Sequence, residues 1–497
     1  MEDTGNWSCN ANDAVQIALV QPGEAKPTVL STFHPQFTYP IFGDDEEIFG
    51  YRGLIIRLRF AAHDLRPHIH ISYDEKFKAV EDATPLDLIA TLKPFSHEDA
   101  FSTLPEYEAA MQNDENTKDF TPPGKLVHSY ASKDNRQYEI WAGSLADPEV
   151  RRIIDRAQIL VSFFIEGGTP IETDDPEWTL ERWTVYFVYE KLATPPPTAS
   201  PYSIVGYSTT YRWWYFQTGA LQTRTVSEGP FPLPEARISE LPARLRIAQF
   251  LILPPHQGSG HGTHLYNTIH TACCNDPTIM ELTVEDPNEA FDVLRDTADF
   301  HMLRPKFLHH QVTINADPYA GQTRIPRSRT VPTNALLPMN LLQDIRTSLK
   351  IDTTQFAHIL EMFLLSQIPT KHRVSGGASM ARLLVKKHKA EDPHDRRYYW
   401  WRMLVKQRLY KRHRDTLVQL DHDERVQKLD ETLVNVEEGY SALLEAFLER
   451  EKKLEAQEGS ADAGTLGRDQ RVKRKFTVQD DEDEEDHDQE SAKRPKV

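Results

Sequence analysis

The chain has 497 residues, 39% of them hydrophobic, and a formal net charge of −18. That length supports about two to four domains with a real core, and the acidic balance argues against a general nucleic-acid coat protein, because phosphate binding needs a basic surface. No apolar run of about 18 residues suggests a membrane span, the opening "MEDTGNWSCN" is too polar for a secretory signal, and three cysteines (Cys9, Cys273, Cys274) are too few for a disulfide framework and fit a reducing compartment.

"YRGLIIRLRF" and "RPHIHISY", within 51–73, have strand length and apolar alternation, and together predict a hairpin in an N-terminal α/β region. His68 and His70, with His63 close by, raise the question of a metal. Ile69 and Ile71 make the opposite face of a half-buried strand, and no carboxylate or cysteine stands at matching spacing, so the structural role is preferred and no metal is expected. After a polar stretch near 113–124, "RQYEIWAG" restarts a strand. Residues 147–168 then predict a strong helix: Asp147 can cap it, Pro148 suits its first turn and Gly167 its exit. Val150, Ile154, Ala157, Val161 and Phe164 recur at helical spacing, so one face should be buried. Residues 182–191 and 203–216 read as neighbouring strands joined through a triple-proline loop, and a Pro/Gly-containing loop (218–236) leads to a strand at 244–253.

A glycine-rich turn, a helix to about Cys274 and a strand at 278–285 follow; Cys273 and Cys274 read as small core residues of that helix. Beyond about residue 310 the period is helical. "RRYYWWRMLVKQRLYKRHR" (396–414) reads as a buried aromatic stripe with a solvated basic face. Near the C-terminus seven carboxylates, Asp480 to Asp486, lie between basic clusters at Arg471–Lys475 and Lys493–Lys496, a pattern of disordered tails. "RVKRK" and "KRPK" have the composition of nuclear-import signals, which predicts residence in nucleus and cytoplasm.

The turn carries the chemistry. Gly258, Gly260 and Gly262 alternate with Ser259 and His261 between a strand and a helix mouth. Glycines permit positive φ and remove Cβ atoms, so several N–H groups can converge, and the helix dipole adds partial positive charge: this is an anion site or a plain glycine-rich turn. A nucleotide P-loop needs a lysine that is missing here, and the spacing G-x-G-x-G breaks the dinucleotide pattern.

Gln257 through Gly262 match the Q-x-x-G-x-G/A signature of the GNAT acetyltransferase superfamily. "QFLILPPHQGSGHG" and "LTVEDPNEAFDVLRD" (282–296), with "IFGDDEEIFGYRGL" and "VGYSTTYRWW", resemble more specifically the type B histone acetyltransferase catalytic-subunit family, over residues 41 to 296. The resemblance implies an α+β GNAT fold: a mixed, mostly antiparallel sheet flanked by helices. The expected parts of the chain are an N-terminal α/β histone-binding domain (1–124) and a catalytic domain (125–310), followed, on periodicity and charge, by a C-terminal helical domain (311–458) and a disordered acidic and basic tail (459–497). It implies acetyl-CoA as cosubstrate, bound along Phe250, Leu251 and Ile252, under Gln257, Gly258, Ser259, Gly260, His261, Gly262 and Thr263, and by Asn288. On position alone Glu285 is an ordinary strand-end acid; the resemblance makes it the general base of direct transfer, with Asp286 expected to cap the following turn or helix. Asp44, Asp45 and Glu46 alone read as an exposed acidic loop, and Trp213 and Trp214 as core aromatics. The resemblance sets that loop, with Tyr211, Arg212 and Trp213, against a core histone tail, chiefly that of the fourth core histone. It further implies a WD40-propeller histone-binding partner. Two readings stay open beside it: a GNAT enzyme for another protein or amine, and a histone-escort protein with a structural CoA fold.

Overall fold

The computed structural model describes residues 7–23, 27–80, 83–112, 117–171, 179–215, 241–320, 331–374 and 390–470, with side chains to 452. It comprises two compact units, Met1–Val436 and Glu437–Val497. In the first, alternating apolar strands build two large sheets, beside two short two-stranded ones among the described residues. The N-terminal one is formed by β1 (Val15–Gln21), β2 (Thr28–Phe33), β3 (Ile55–Ala61) and β4 (Pro67–Ser72), in the order β2-β1-β3-β4. The expected hairpin is β3–β4, antiparallel from Ile55↔Ser72 to Phe60↔Pro67. Ile56, Leu58 and Phe60 point into the core, as the period of two requires. His68 is buried against Tyr107 at 4.9 Å, and burial lowers its pKa to about 4.

The short helix α1 (Tyr39–Phe42) precedes that hairpin, and the long helix α2 (Pro148–Phe164) follows it. Asp147 caps α2 by accepting from the Glu149 amide, and Val150, Ile154, Ala157, Val161 and Phe164 are all buried. Gly167, at the exit, takes φ +67°.

The central sheet contains β5 (Lys125–Ala131), β6 (Gln137–Ser144), β7 (Trp183–Lys191), β8 (Tyr202–Trp214), β9 (Ala243–Ile252) and β10 (Ile279–Val284), in the order β10-β9-β8-β7-β6-β5. Its strands pair antiparallel except β9 and β10, which are parallel and joined by the crossover helix α3 (His261–Asn275). One face shares a core with α2 and the N-terminal sheet, including Ile56, Ile154, Phe187, Tyr207 and Leu251. The other face, with Ile140, Val188, Ile247 and Leu282, packs on α3 and on α4 (Glu289–His309). The architecture is α+β, with a mixed, mostly antiparallel sheet flanked by helices, as expected.

A feature the alternation of β9 conceals is a bulge: Ile247 pairs with Thr210 but Phe250 with Ser208, so two residues of β9 oppose Thr209 alone. The extra residue reverses the phase of the strand. Ile247 therefore packs with the α3 side while Leu251 joins the α2 side, and Phe250 and Ile252 turn toward α3 and α4.

Helices α5 (Thr353–Ser366), α6 (Pro393–Arg412) and α7 (His422–Gln470) follow. The aromatic stripe of α6 is buried at Tyr398, Trp400 and Trp401. The expected basic face is solvated at Lys411, Arg412 and Arg414 but not throughout: Arg408 grips Glu361 through two hydrogen bonds of 2.8 Å, and Arg402 holds Asp430 at 2.8 Å. Carboxylates on neighbouring helices take part of the hydrogen bonding of these guanidinia from water. The α7 backbone continues to Gln470. The loop at 218–236 and the charged clusters after 470 lie outside the described residues.

Candidate functional site

Strands β9 and β10 run side by side only as far as Ile247↔Val284, where the Glu285 amide donates to Ile247 O at 2.9 Å. β9 continues for five residues, while the other chain turns away at Asp286 (φ 35°) and Pro287. The strands part there, and Glu285 stands at the fork. Its side chain is 43% exposed and lines a cleft of about 560 Å³ with Tyr211, Trp213, Trp183, Ala248, Gln249 and the 165–171 loop. The Tyr211 hydroxyl donates to Glu285 Oε1 at 3.2 Å, and Arg246 Nη1 donates to the same hydroxyl oxygen at 3.1 Å. Burial pushes the Tyr211 pKa up, which keeps the hydroxyl a donor. A small cavity of about 60 Å³ lies inside the fork, between Phe250, Phe291, Glu285 and Asn288.

Period two sorts the predicted acceptor residues. Tyr211 and Trp213 face the cleft, and Trp213 and Trp214 are exposed rather than core. Arg212 points through the sheet, where it binds Asp276 and donates to Thr278 Oγ1 at 2.8 Å. The capping expectation also moves: Asn288, not Asp286, caps α4, accepting from the Phe291 amide at 2.9 Å.

Behind the fork, Gly258 (φ +73°) and Gly260 (φ +89°) occupy left-handed backbone conformations, and Gly260 begins α3 without a side-chain cap. A side chain at either would strain the turn. The first backbone bond of the helix is His264 N to Gly260 O, so the amides of the first turn have no intrahelical acceptor. A Cβ on Gly262 would meet Leu294 at 2.6 Å, so glycine also lets α3 and α4 close up here. Gln257 spends its side-chain amide on Ile252 O at 2.8 Å, tying the turn to the end of β9. Ser259 is exposed, His261 buried and Thr263 half-buried. The arrangement suits a diphosphate followed by an extended arm that pairs with the free edge of β9.

Asp44 and Asp45 are exposed, whereas Glu46 is bound internally: it accepts from the amides of Thr38 and Tyr39 and from Asn12 Nδ2 at 2.7 Å. The Thr38 bond leads in lowering its pKa. Tyr39 in turn accepts from the Gly167 amide at 3.2 Å, on the cleft wall. Sequence reasoning missed that wall. Glu166 lines it, Gln158 accepts from the Ile171 amide at 3.2 Å, and Gln249 Nε2 donates to Thr169 O at 3.0 Å. A polar Gln249 in an apolar strand was the available signal. Cys273 is buried at the far end of α3, its thiol pushed up to about 12 by burial, which makes it a poor nucleophile. Among the described residues no three potential ligands cluster for a metal ion.

Residues 7–166 match the family model described as "Histone acetyl transferase HAT1 N-terminus". The chain is 66% identical to the histone acetyltransferase type B catalytic subunit of Aspergillus oryzae over 514 aligned positions, covering all of both chains. It is 67% identical to that of Aspergillus fumigatus, covering 99% of this chain and 88% of the relative, and 62% identical to that of Emericella nidulans, covering 93% of each. A cleft with a carboxylate at the fork of a parallel strand pair, backed by a glycine turn, agrees with those relationships, and the chain belongs to the family of type B histone acetyltransferase catalytic subunits, acyltransferases that take their acetyl group from acetyl-CoA.

Proposed function

We propose that this chain acetylates lysine side chains in the N-terminal tail of newly made core histones, chiefly the fourth, by direct transfer with Glu285 as general base. A lysine near its ordinary pKa of about 10.4 is protonated at neutral pH and cannot attack. Glu285 takes that proton, directly or through a water. The freed nitrogen attacks the thioester carbonyl carbon and the C–N bond forms; the C–S bond then breaks, the nitrogen sheds its second proton, and CoA leaves as a thiolate that takes up one proton. The amides of 258–263 hold the diphosphate of acetyl-CoA, Phe250, Leu251 and Ile252 pair with its arm and offer an N–H to the developing oxyanion, and Asn288 adds a contact. The acidic Asp44 and Asp45, with Tyr211 and Trp213, take the cationic tail. The same reading assigns histone binding to residues 1–124, catalysis to 125–310 and a helical domain to 311–458. A WD40-propeller subunit is the expected histone-binding partner, and nucleus and cytoplasm the expected compartments.

One observation carries this reading: Glu285 stands at the fork of β9 and β10, open to the cleft and hydrogen-bonded by Tyr211. Steady-state kinetics of Glu285→Gln test it. We expect kcat on a histone-tail peptide to fall about 10²- to 10⁴-fold, the range of a general base, with CoA affinity retained. Transfer at the parental rate would remove Glu285 from the mechanism.

A further inference from the structure

The first turn of α3 is gripped from a direction its own sequence does not reveal. His261, its first helical residue, is buried and shares a hydrogen bond of 2.8 Å between its Nδ1 and the hydroxyl of Tyr130. Tyr130 lies 131 residues earlier on β5, the edge strand at the opposite end of the sheet from the fork. Its ring stacks on His264, one helical turn further along, with centroids 3.8 Å apart and planes 9° from parallel. Tyr138, on β6, completes the cradle at 4.4 Å from His261 and 5.4 Å from Tyr130. His256, at the near end of the turn, stands edge-on to His261 at 6.2 Å. Burial leads in lowering the pKa of His256, to about 4, and that of His261, with the neighbouring His261 and His264 adding to the two shifts, and burial raises that of Tyr130, so its hydroxyl keeps its proton.

Gly258 and Gly260 need such support. Left-handed glycines let the turn point its amides at one spot, but they also give it the most conformational freedom to lose. Gly262 is packed against Leu294 and Phe250 on one side. On the other side, the rings of Tyr130 and Tyr138 hold His261 and His264.

We propose that Tyr130 is a positioning residue for acetyl-CoA: from the far edge strand it fixes His261 and His264, and with them the amides that receive the diphosphate. This rests on the reading that the 257–263 turn binds acetyl-CoA. Preorganised donors bind more tightly because their ordering cost is met during folding.

Isothermal titration of CoA into the full chain tests it, with steady-state kinetics alongside. Tyr130→Phe keeps the stacked ring and removes the hydroxyl. We expect CoA affinity to fall about five- to tenfold, the yield of one hydrogen bond, with acetyl-CoA KM rising in step while the histone-peptide KM and kcat at saturating acetyl-CoA stay near parental. His261→Leu should weaken CoA similarly, and the double variant should lose little more, since both remove one interaction. If either single variant fails to fold, the other carries the comparison. Unchanged CoA affinity in the folded variants, or fully additive losses, overturns the proposal. Gly258→Val separates the levels: if it leaves CoA affinity intact, the turn reading fails; if it weakens CoA and Tyr130→Phe does not, the positioning role alone fails.

Discussion

Glu46 shows how a residue can carry the expected charge and spend it inside the protein. Its neighbours Asp44 and Asp45 are free to meet a cationic tail, but Glu46 holds the amides of Thr38 and Tyr39, and Tyr39 reaches the cleft wall at Gly167. Lysine at both 44 and 45 should therefore raise the histone-peptide KM and leave CoA affinity alone. Glu46→Gln should act on stability instead. A carboxyl whose folded pKa is depressed stabilises the fold above its unfolded pKa of about 4.5, and loses that contribution as pH falls through the lower folded value. The gap in melting temperature between parent and Glu46→Gln should be fully open at pH 7 and close toward pH 3. A constant gap across that range would show that the charge of Glu46 is not what the Thr38 and Tyr39 amides bind. At this scale the sequence was a good guide to residue type and a poor one to direction: Tyr211, Arg212 and Trp213 read as one patch, and the pleat sends Arg212 through the sheet to Asp276.

At the scale of elements, the glycine turn was legible because its backbone demands are written in residue types. Gly260 at φ +89° and the missing side-chain cap are what the alternating glycines predict. Gly260→Ala should cost about 1–2 kcal/mol of stability, the penalty of a Cβ in the left-handed region, and should raise acetyl-CoA KM because relaxing the strain rotates the first amides. Thermal melts and substrate titrations check both; an unchanged KM would detach the turn from cosubstrate binding. The bulge in β9 was not legible. A strand that alternates as "RLRIAQFLIL" reads as one uninterrupted ladder, and only its pairing with β8 reveals two residues opposite Thr209. That bulge sets which way Phe250 and Leu251 face along the fork.

The N-terminal sheet, α2 and one face of the central sheet share one core. Ile17 and Phe60 of the N-terminal sheet, Ile154 and Phe163 of α2, and Phe187 and Tyr207 of the central sheet belong to one apolar cluster. Arg156 of α2 centres an ion cluster that is buried at Asp64 and partly exposed at Asp99: Arg156 Nη1 donates to Asp64 Oδ2 at 2.6 Å and Nη2 to Asp99 Oδ2 at 2.9 Å. Burial pushes the Asp64 pKa up, but His63, Arg156 and Arg66 together hold it below the usual carboxylate value. Arg156→Ala would take from buried Asp64 its nearest cationic partner and leave it only the longer contacts to His63 and Arg66, and breaking a buried pair in this way costs up to about 3–5 kcal/mol. Denaturant unfolding should show that loss; a change under 1 kcal/mol would mean that the carboxylates find water instead. By itself the sequence determined the local elements, α2 with its cap and buried stripe, the β3–β4 hairpin, the strand, glycine turn and helix at 244–275, and through its motifs the family, because each depends on residues close in the chain. Only the tertiary structure decided the cleft wall tied by Tyr39, Gln158 and Gln249, and the hold of Tyr130 on His261. Those contacts join residues separated by up to 131 positions, and no local period or propensity encodes which distant side chains the packed sheets and helices bring together.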